Sequence, residues 1–147
     1  MDYKKWLIED LRDLERLRFS VAQMEGELET LDAEETAIRA TDYDKIPGGS
    51  GSNTQEDRLL TTIAKRDELR ANLEATRRRV ADLDRLVSGL DNDDELRVVQ
   101  VMFLSGERNA VSRLIEELGY EAAQIYRLKD RALKHLAQMR YGAGFRP

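Results

Sequence analysis

The fold is decided by residues 7–38, which read LIEDLRDLERLRFSVAQMEGELETLDAEETAI. The apolar side chains that recur there every seven residues are Leu7, Leu14, Val21 and Leu28, and again Leu17, Met24, Leu31 and Ile38. A strand would alternate every second residue, whereas this repeat places one narrow apolar stripe along a helix. Asp2 is a suitable N-cap, so we predict a helix from Asp2 to about Ala40.

A second helix of the same kind is expected after a stretch of loop-forming residues. Residues 41–53 contain Pro47 and three glycines, which disfavour a helix, and we predict a loop there. Hydroxyl and acidic side chains from Ser52 onward then favour a new helix that runs to about Leu90. Its seam residues are Leu59, Leu69, Leu73, Val80, Leu83, Val87 and Leu90.

The apolar stripes of the two helices face each other if the chain folds back so that the residue numbers of facing positions sum to 97. The layers that pair two apolar residues are Leu7 with Leu90, Leu14 with Leu83, Leu17 with Val80, Met24 with Leu73, Leu28 with Leu69, and Ile38 with Leu59. The flawed layers are Asp10 with Val87, Val21 with Thr76, Leu31 with Arg66, and Glu35 with Thr62. We therefore predict an antiparallel coiled-coil hairpin over residues 1–90. Since Leu11, Leu60 and Leu86 are left at its edges for a second chain, we expect a homodimer.

Residues 91–147 are expected to form a compact module of three helices. The acidic run at residues 91–95 caps the first, and its apolar run over residues 96–104 is too dense for an exposed face. Gly106 and Gly119 punctuate the following helices, the latter where a helix C-terminus takes a left-handed residue. The fold class predicted for the whole chain is all-α.

Charge is distributed unevenly along the chain, whose formal net charge is -5. Residues 1–106 carry 16 Lys and Arg against 24 Asp and Glu, whereas residues 107–147 carry 8 against 5. A positive end is what an anionic partner requires. There is no cysteine and no apolar run long enough to span a bilayer, so we expect a cytoplasmic protein without membrane, metal or cofactor. Nothing in the pattern indicates an enzyme.

The last two helices have the helix-turn-helix pattern: a helix of about ten residues, a short glycine-containing turn, and a helix that starts with small and polar residues. Packing of Ile125, Leu128, Ala132 and Leu136 against Leu114, Ile115 and Leu118 would turn the opposite face outward, toward a DNA major groove. The predicted DNA-binding residues are Ala122, Ala123, Gln124, Tyr126, Arg127, Lys129, Asp130, Arg131 and Lys134.

A family resemblance rests on the same residues. Residues 118–136, LGYEAAQIYRLKDRALKHL, resemble the fourth region of bacterial sigma factors, which reads the promoter -35 element. With residues 42–51, DYDKIPGGSG, between its two long helices, the whole chain resembles the ArpU/RinA-type transcriptional regulators of bacteriophages. The resemblance implies a DNA-binding activator of phage late genes. Glu121 departs from related turns, which usually place serine or threonine there; its carboxylate suits the helix dipole but repels a phosphate.

Other interpretations stay open beside this one. The chain could be a small terminase-like subunit for DNA packaging, or a coiled-coil adaptor for a protein partner such as RNA polymerase. The run Arg77–Arg79 is more typical of a solvated face paired with acidic neighbours than of a second phosphate contact. For His135 we expect a phosphate contact or an idle surface position, and for Tyr3 and Trp6 packing at the open end of the hairpin.

Overall fold

The computed structural model describes residues 2–43 and 52–145, and within them the chain is helical without any β-strand. Its helices are α1 (Tyr3–Tyr43), α2 (Ser52–Ser88), α3 (Asp93–Val99), α4 (Ala110–Leu118) and α5 (Ala122–Tyr141). A π-helical turn, Gln100–Leu104, extends α3, and a 3-10 turn, Gly142–Gly144, follows α5. The all-α prediction is confirmed. The predicted loop falls largely on residues 44–51, which lie outside the described residues.

The chain divides into two compact units, of which unit 2 is Phe19–Arg78. In this unit α1 and α2 run antiparallel. Glu25 pairs with Arg77 at 2.7 Å, and Asp32 pairs with Arg70 at 3.7 Å. The residue numbers of each pair sum to 102. This is the sum expected for positions that flank the seam when the numbers of facing seam residues sum to 97. The ion pairs therefore agree with the predicted register.

Two flawed layers of the predicted seam compensate one another in unit 2. Arg66 was predicted to face Leu31, and Glu35 to face Thr62, yet the Arg66 guanidinium donates to the Glu35 carboxylate. Both side chains are largely buried, so the pairing offsets part of their desolvation. One ion pair consequently joins the two flawed layers.

Unit 1, Met1–Arg18 with Arg79–Pro147, contains the main apolar core. Its largest cluster joins the start of α1 and the end of α2 to the C-terminal helices. The buried members are Leu7, Leu11, Val87, Leu90, Val99, Phe103, Ala132, Leu133, Leu136, Ala137 and Phe145. Tyr3 packs at the edge of this cluster, with its ring 4.6 Å from that of Tyr141. The predicted packing role of Tyr3 is confirmed.

Leu11 and Asp10 do not have the surroundings that the hairpin alone predicts. Leu11 was predicted to form an exposed edge for a second chain, but it is 0% exposed because unit 1 covers it. Asp10 accepts hydrogen bonds from Arg79 at 2.7 Å and contacts Arg140 of α5 at 2.9 Å. Leu11 is therefore not available to a second chain. Of the other two edge residues, Leu86 is half-buried against the same cluster, and Leu60 is 63% exposed.

The start of α3 and its π-helical extension explain how the dense apolar run is buried. Asn92 caps α3 by accepting from the Glu95 backbone N–H at 3.0 Å, as the polar run at residues 91–95 predicts. The Ser105 backbone N–H then donates to the Gln100 carbonyl at 2.8 Å, which inserts one extra residue into the helical turn. Val101 and Phe103 are both buried as a result.

Candidate nucleic-acid interface

Helices α4 and α5 are joined by a turn of three residues, Gly119 to Glu121. Gly119 has a φ of 74° and lies in the left-handed region, as the sequence predicts for the end of α4. Glu121 has an extended backbone and occupies the N-cap of α5, but its side chain makes no capping hydrogen bond there. The start of α5 therefore presents a carboxylate beside backbone N–H groups that helices normally cap with hydroxyls.

A second core cluster fixes α5 against α4 in unit 1. Its buried members are Val98, Val101, Ala110, Leu114, Ile125 and Leu128, with Ile115 and Leu118 packed at its edge. Ile125 and Leu128 thus contact the helix that the sequence predicts. Ala132 and Leu136 belong instead to the larger cluster, which includes Leu7 and Leu11. The prediction was wrong for these two residues, since α5 is long enough to serve both clusters.

The outward face of α5 carries the predicted DNA-binding residues. Those that are exposed are Ala122, Ala123, Tyr126, Arg127, Asp130, Arg131 and Lys134, whereas Gln124 and Lys129 are half-buried. The Lys129 amino group lies 5.8 Å from the centre of the Tyr126 ring, a cation–π contact. All nine residues are therefore on one helix. Seven of them are exposed, and the two half-buried residues lie at the border of that face.

Four residues make the middle of this face. Ala123, Arg127, Asp130 and Lys134 follow one another at spacings of four, three and four residues, so they lie in one line along the helix. At a rise of about 1.5 Å per residue this line is roughly 16 Å long. The major groove of DNA is about 12 Å wide and admits a helix with such a row of side chains.

The cations of α5 and the consecutive arginines of α2 differ in their pairing. Among the described side chains, no carboxylate lies within 4.0 Å of Arg127, Lys129, Arg131 or Lys134, and the α5 arginine that has such a partner is Arg140. The consecutive arginines of α2 instead contact Glu25 (from Arg77), Glu74 (from Arg78) and Asp10 (from Arg79). The interpretation of that run as a solvated, paired face is confirmed. The outward face of α5 therefore keeps its positive charge available for an anion.

Sequence reasoning missed a contact that holds α5 to α3. His135 Nδ1 lies 2.9 Å from Glu95 Oε2, and the Glu95 side chain is 2% exposed while that of His135 is 46% exposed. His135 is thus neither idle nor directed only at solvent. A signal was present, because Glu95 precedes Val98 and Val99 by three and four residues and so shares their buried stripe.

Two further polar contacts support the same corner of unit 1. The Tyr120 hydroxyl donates to Asp94 Oδ2 at 2.8 Å, and this hydrogen bond to a carboxylate raises the pKa of Tyr120. Arg97 Nε donates to Glu117 Oε1 at 2.6 Å and lowers the pKa of the Glu117 carboxyl. Both contacts link α3 to the end of α4 and the turn after it, and they hold in place the turn that precedes α5.

Within residues 2–43 and 52–145, no group of three or more histidine and acidic side chains is placed to hold a metal ion. In that part of the chain, no helix is both long and apolar enough to cross a membrane. A comparison with known protein families, curated proteins and solved structures finds no match for this chain.

Proposed function

We propose that this chain is a sequence-specific DNA-binding transcription regulator in which α4 and α5 act as a helix-turn-helix. The observation that carries the proposal is the outward face of α5, where Arg127, Arg131 and Lys134 are exposed and no described carboxylate lies within 4.0 Å of them. Such a face suits a major groove because phosphates attract its cations while guanidinium groups reach base edges. The exposed alanines at the start of α5 permit close approach of the helix to the duplex.

The proposal extends to the biological role that the family resemblance implies. It assigns the chain to ArpU/RinA-type activation of phage late genes, as a homodimer that also contacts host RNA polymerase. These points are supported by the residues quoted from the turn and from α5, which resemble the fourth region of sigma factors. The exposed face of α5 concerns only the DNA-binding part of this proposal, so DNA binding is tested first.

The test begins with selection of preferred duplexes from a random DNA pool, followed by fluorescence anisotropy on the selected and on scrambled duplexes. Arg127 lies one turn into α5, where it can reach a guanine edge. Arg127→Ala is expected to cost about 1–3 kcal/mol on the selected duplex and to relax sequence preference. Lys134 lies two turns further on and is expected to meet a phosphate. Lys134→Ala should therefore weaken both duplexes alike and reduce the salt slope by about one unit.

A matched control is available on α2. Arg78→Ala removes the same charge from an exposed side chain that already contacts Glu74, so it should leave DNA affinity unchanged. If Arg127→Ala and Lys134→Ala also leave it unchanged while circular dichroism shows an intact fold, α5 does not read DNA. The adaptor interpretation then replaces this one.

A further inference from the structure

Asp130 is the one acidic residue in the line that Ala123, Arg127, Asp130 and Lys134 form on the outward face of α5. It is exposed, and it lies three residues after Arg127 and four before Lys134. These are spacings at which helical side chains of opposite charge form ion pairs. Among the described residues, however, no cationic nitrogen lies within 4.0 Å of the Asp130 carboxylate. The carboxylate is therefore free to meet whatever approaches this face.

An ionised carboxylate has two consequences for a helix that approaches DNA. It repels phosphates, so it weakens binding to any duplex through the backbone. It also accepts hydrogen bonds and donates none, so the base edge that it matches in the major groove is an amino group, above all N4 of cytosine. A carboxylate with both effects lowers the affinity for most DNA sequences and restores it for a sequence that places such an amino group opposite it.

The spacing from Arg127 indicates which base pair the carboxylate meets. Three residues of helix rise about 4.5 Å, close to the separation of about 3.4 Å between neighbouring base pairs. If Arg127 contacts a guanine edge, Asp130 faces the base pair next to it. We propose that Asp130 determines sequence specificity by accepting a hydrogen bond from the N4 amino group of a cytosine at that neighbouring base pair. This inference rests on the proposed DNA-binding function and adds to it the second base of the recognised site.

The experiment uses the full chain and the duplex selected by the wild-type protein. Dissociation constants are measured for wild type, Asp130→Ala and Asp130→Asn on the selected duplex, on scrambled duplexes, and on a duplex whose cytosine carries hydrogen in place of its amino group. Wild type should lose roughly 5- to 100-fold in affinity when the amino group is removed, whereas Asp130→Ala should be indifferent to it. Asp130→Ala should also bind scrambled DNA several-fold more tightly than wild type does.

Glu29→Gln serves as the matched control, because Glu29 is an exposed carboxylate on α1 of unit 2. It changes net charge as Asp130→Asn does, and it should leave the ratio of selected to scrambled affinity unchanged. A ratio that rises or falls equally for Glu29→Gln and Asp130→Asn would overturn the proposal, since net charge would then explain the effect.

The outcomes separate this inference from the proposed function. If Arg127→Ala and Lys134→Ala weaken DNA binding, but Asp130→Ala still discriminates against the duplex without the amino group, DNA binding stands and the role of Asp130 is refuted. If neither the wild type nor any variant binds DNA, both proposals fail. Loss of discrimination confined to the Asp130 variants and to that one base pair supports the inference.

Discussion

The contact between His135 and Glu95 allows a sharp prediction about how α5 is held in place. Replacing His135 with alanine removes the imidazole whose Nδ1 lies 2.9 Å from a carboxyl group that is 2% exposed, and His135 is not itself a member of either buried cluster. Leaving a buried hydrogen-bonding group without its partner costs about 1–3 kcal/mol, because the group keeps its desolvation penalty. We therefore expect His135→Ala to lower the free energy of unfolding by that amount, measured by urea denaturation with circular dichroism at neutral pH.

A double-mutant cycle separates this contact from the general effect of truncating a side chain. Glu95→Leu removes the buried carboxylate, so adding His135→Ala to it should cost much less than His135→Ala costs alone. The expected coupling energy is about 1–3 kcal/mol. Gln138→Ala is the control, because Gln138 is exposed on the next turn of α5 and lines the same recess beside Glu95. Additive losses, with a coupling below about 0.5 kcal/mol, would show that the pair does not hold α5 to α3.

Two further predictions concern stability and use the same denaturation assay. Leu11→Ala should cost about 2–5 kcal/mol because Leu11 is fully buried, whereas Leu60→Ala, at a side chain 63% exposed, should cost under about 0.5 kcal/mol; equal losses would contradict the burial of Leu11 within one chain. At Gly119 and Gly26 an added Cβ meets nothing within 4 Å, so backbone conformation alone decides the effect of alanine on stability. Gly119→Ala should cost about 1–2 kcal/mol because the φ of Gly119 is 74°. Gly26→Ala, inside α1, should stabilise by about 0.5–1 kcal/mol. A loss at both glycines would show that packing, rather than φ, sets the result.

The long helices were predictable from the sequence because their information is local and repeated. The seven-residue pattern places the ends of α1 and α2 within three residues of those observed, and the ion pairs of unit 2 agree with its register. The left-handed Gly119 was also predictable, since glycine is the residue that adopts this conformation without strain. Each of these features depends on neighbours within a few residues along the chain or on a strict period.

The surroundings of Leu11 and Glu95 were harder to predict because their partners are distant in sequence. A two-helix seam has no place for Leu11, and the residues that cover it, such as Ala132 and Leu136, come from α5. Glu95 lies on a buried stripe, which the periodicity shows, but its partner His135 is 40 residues away. The π-helical turn adds one residue to a helix, and no local pattern distinguishes that insertion from a regular turn.

The acidic average of the chain is compatible with the proposed DNA reading because charge pairing differs between its helices. On α1 and α2, carboxylates outnumber cations and also contact most of them, so these helices offer little to a phosphate backbone. Nonspecific affinity for DNA is set mainly by the number of phosphates neutralised, and cations that already contact carboxylates add little to it. In the proposed complex with DNA, the exposed cations of α5 contact phosphates while Arg127 and Asp130 contact bases. If α5 binds DNA as proposed, the negative net charge of the chain therefore favours discrimination between sequences over tight binding to all of them.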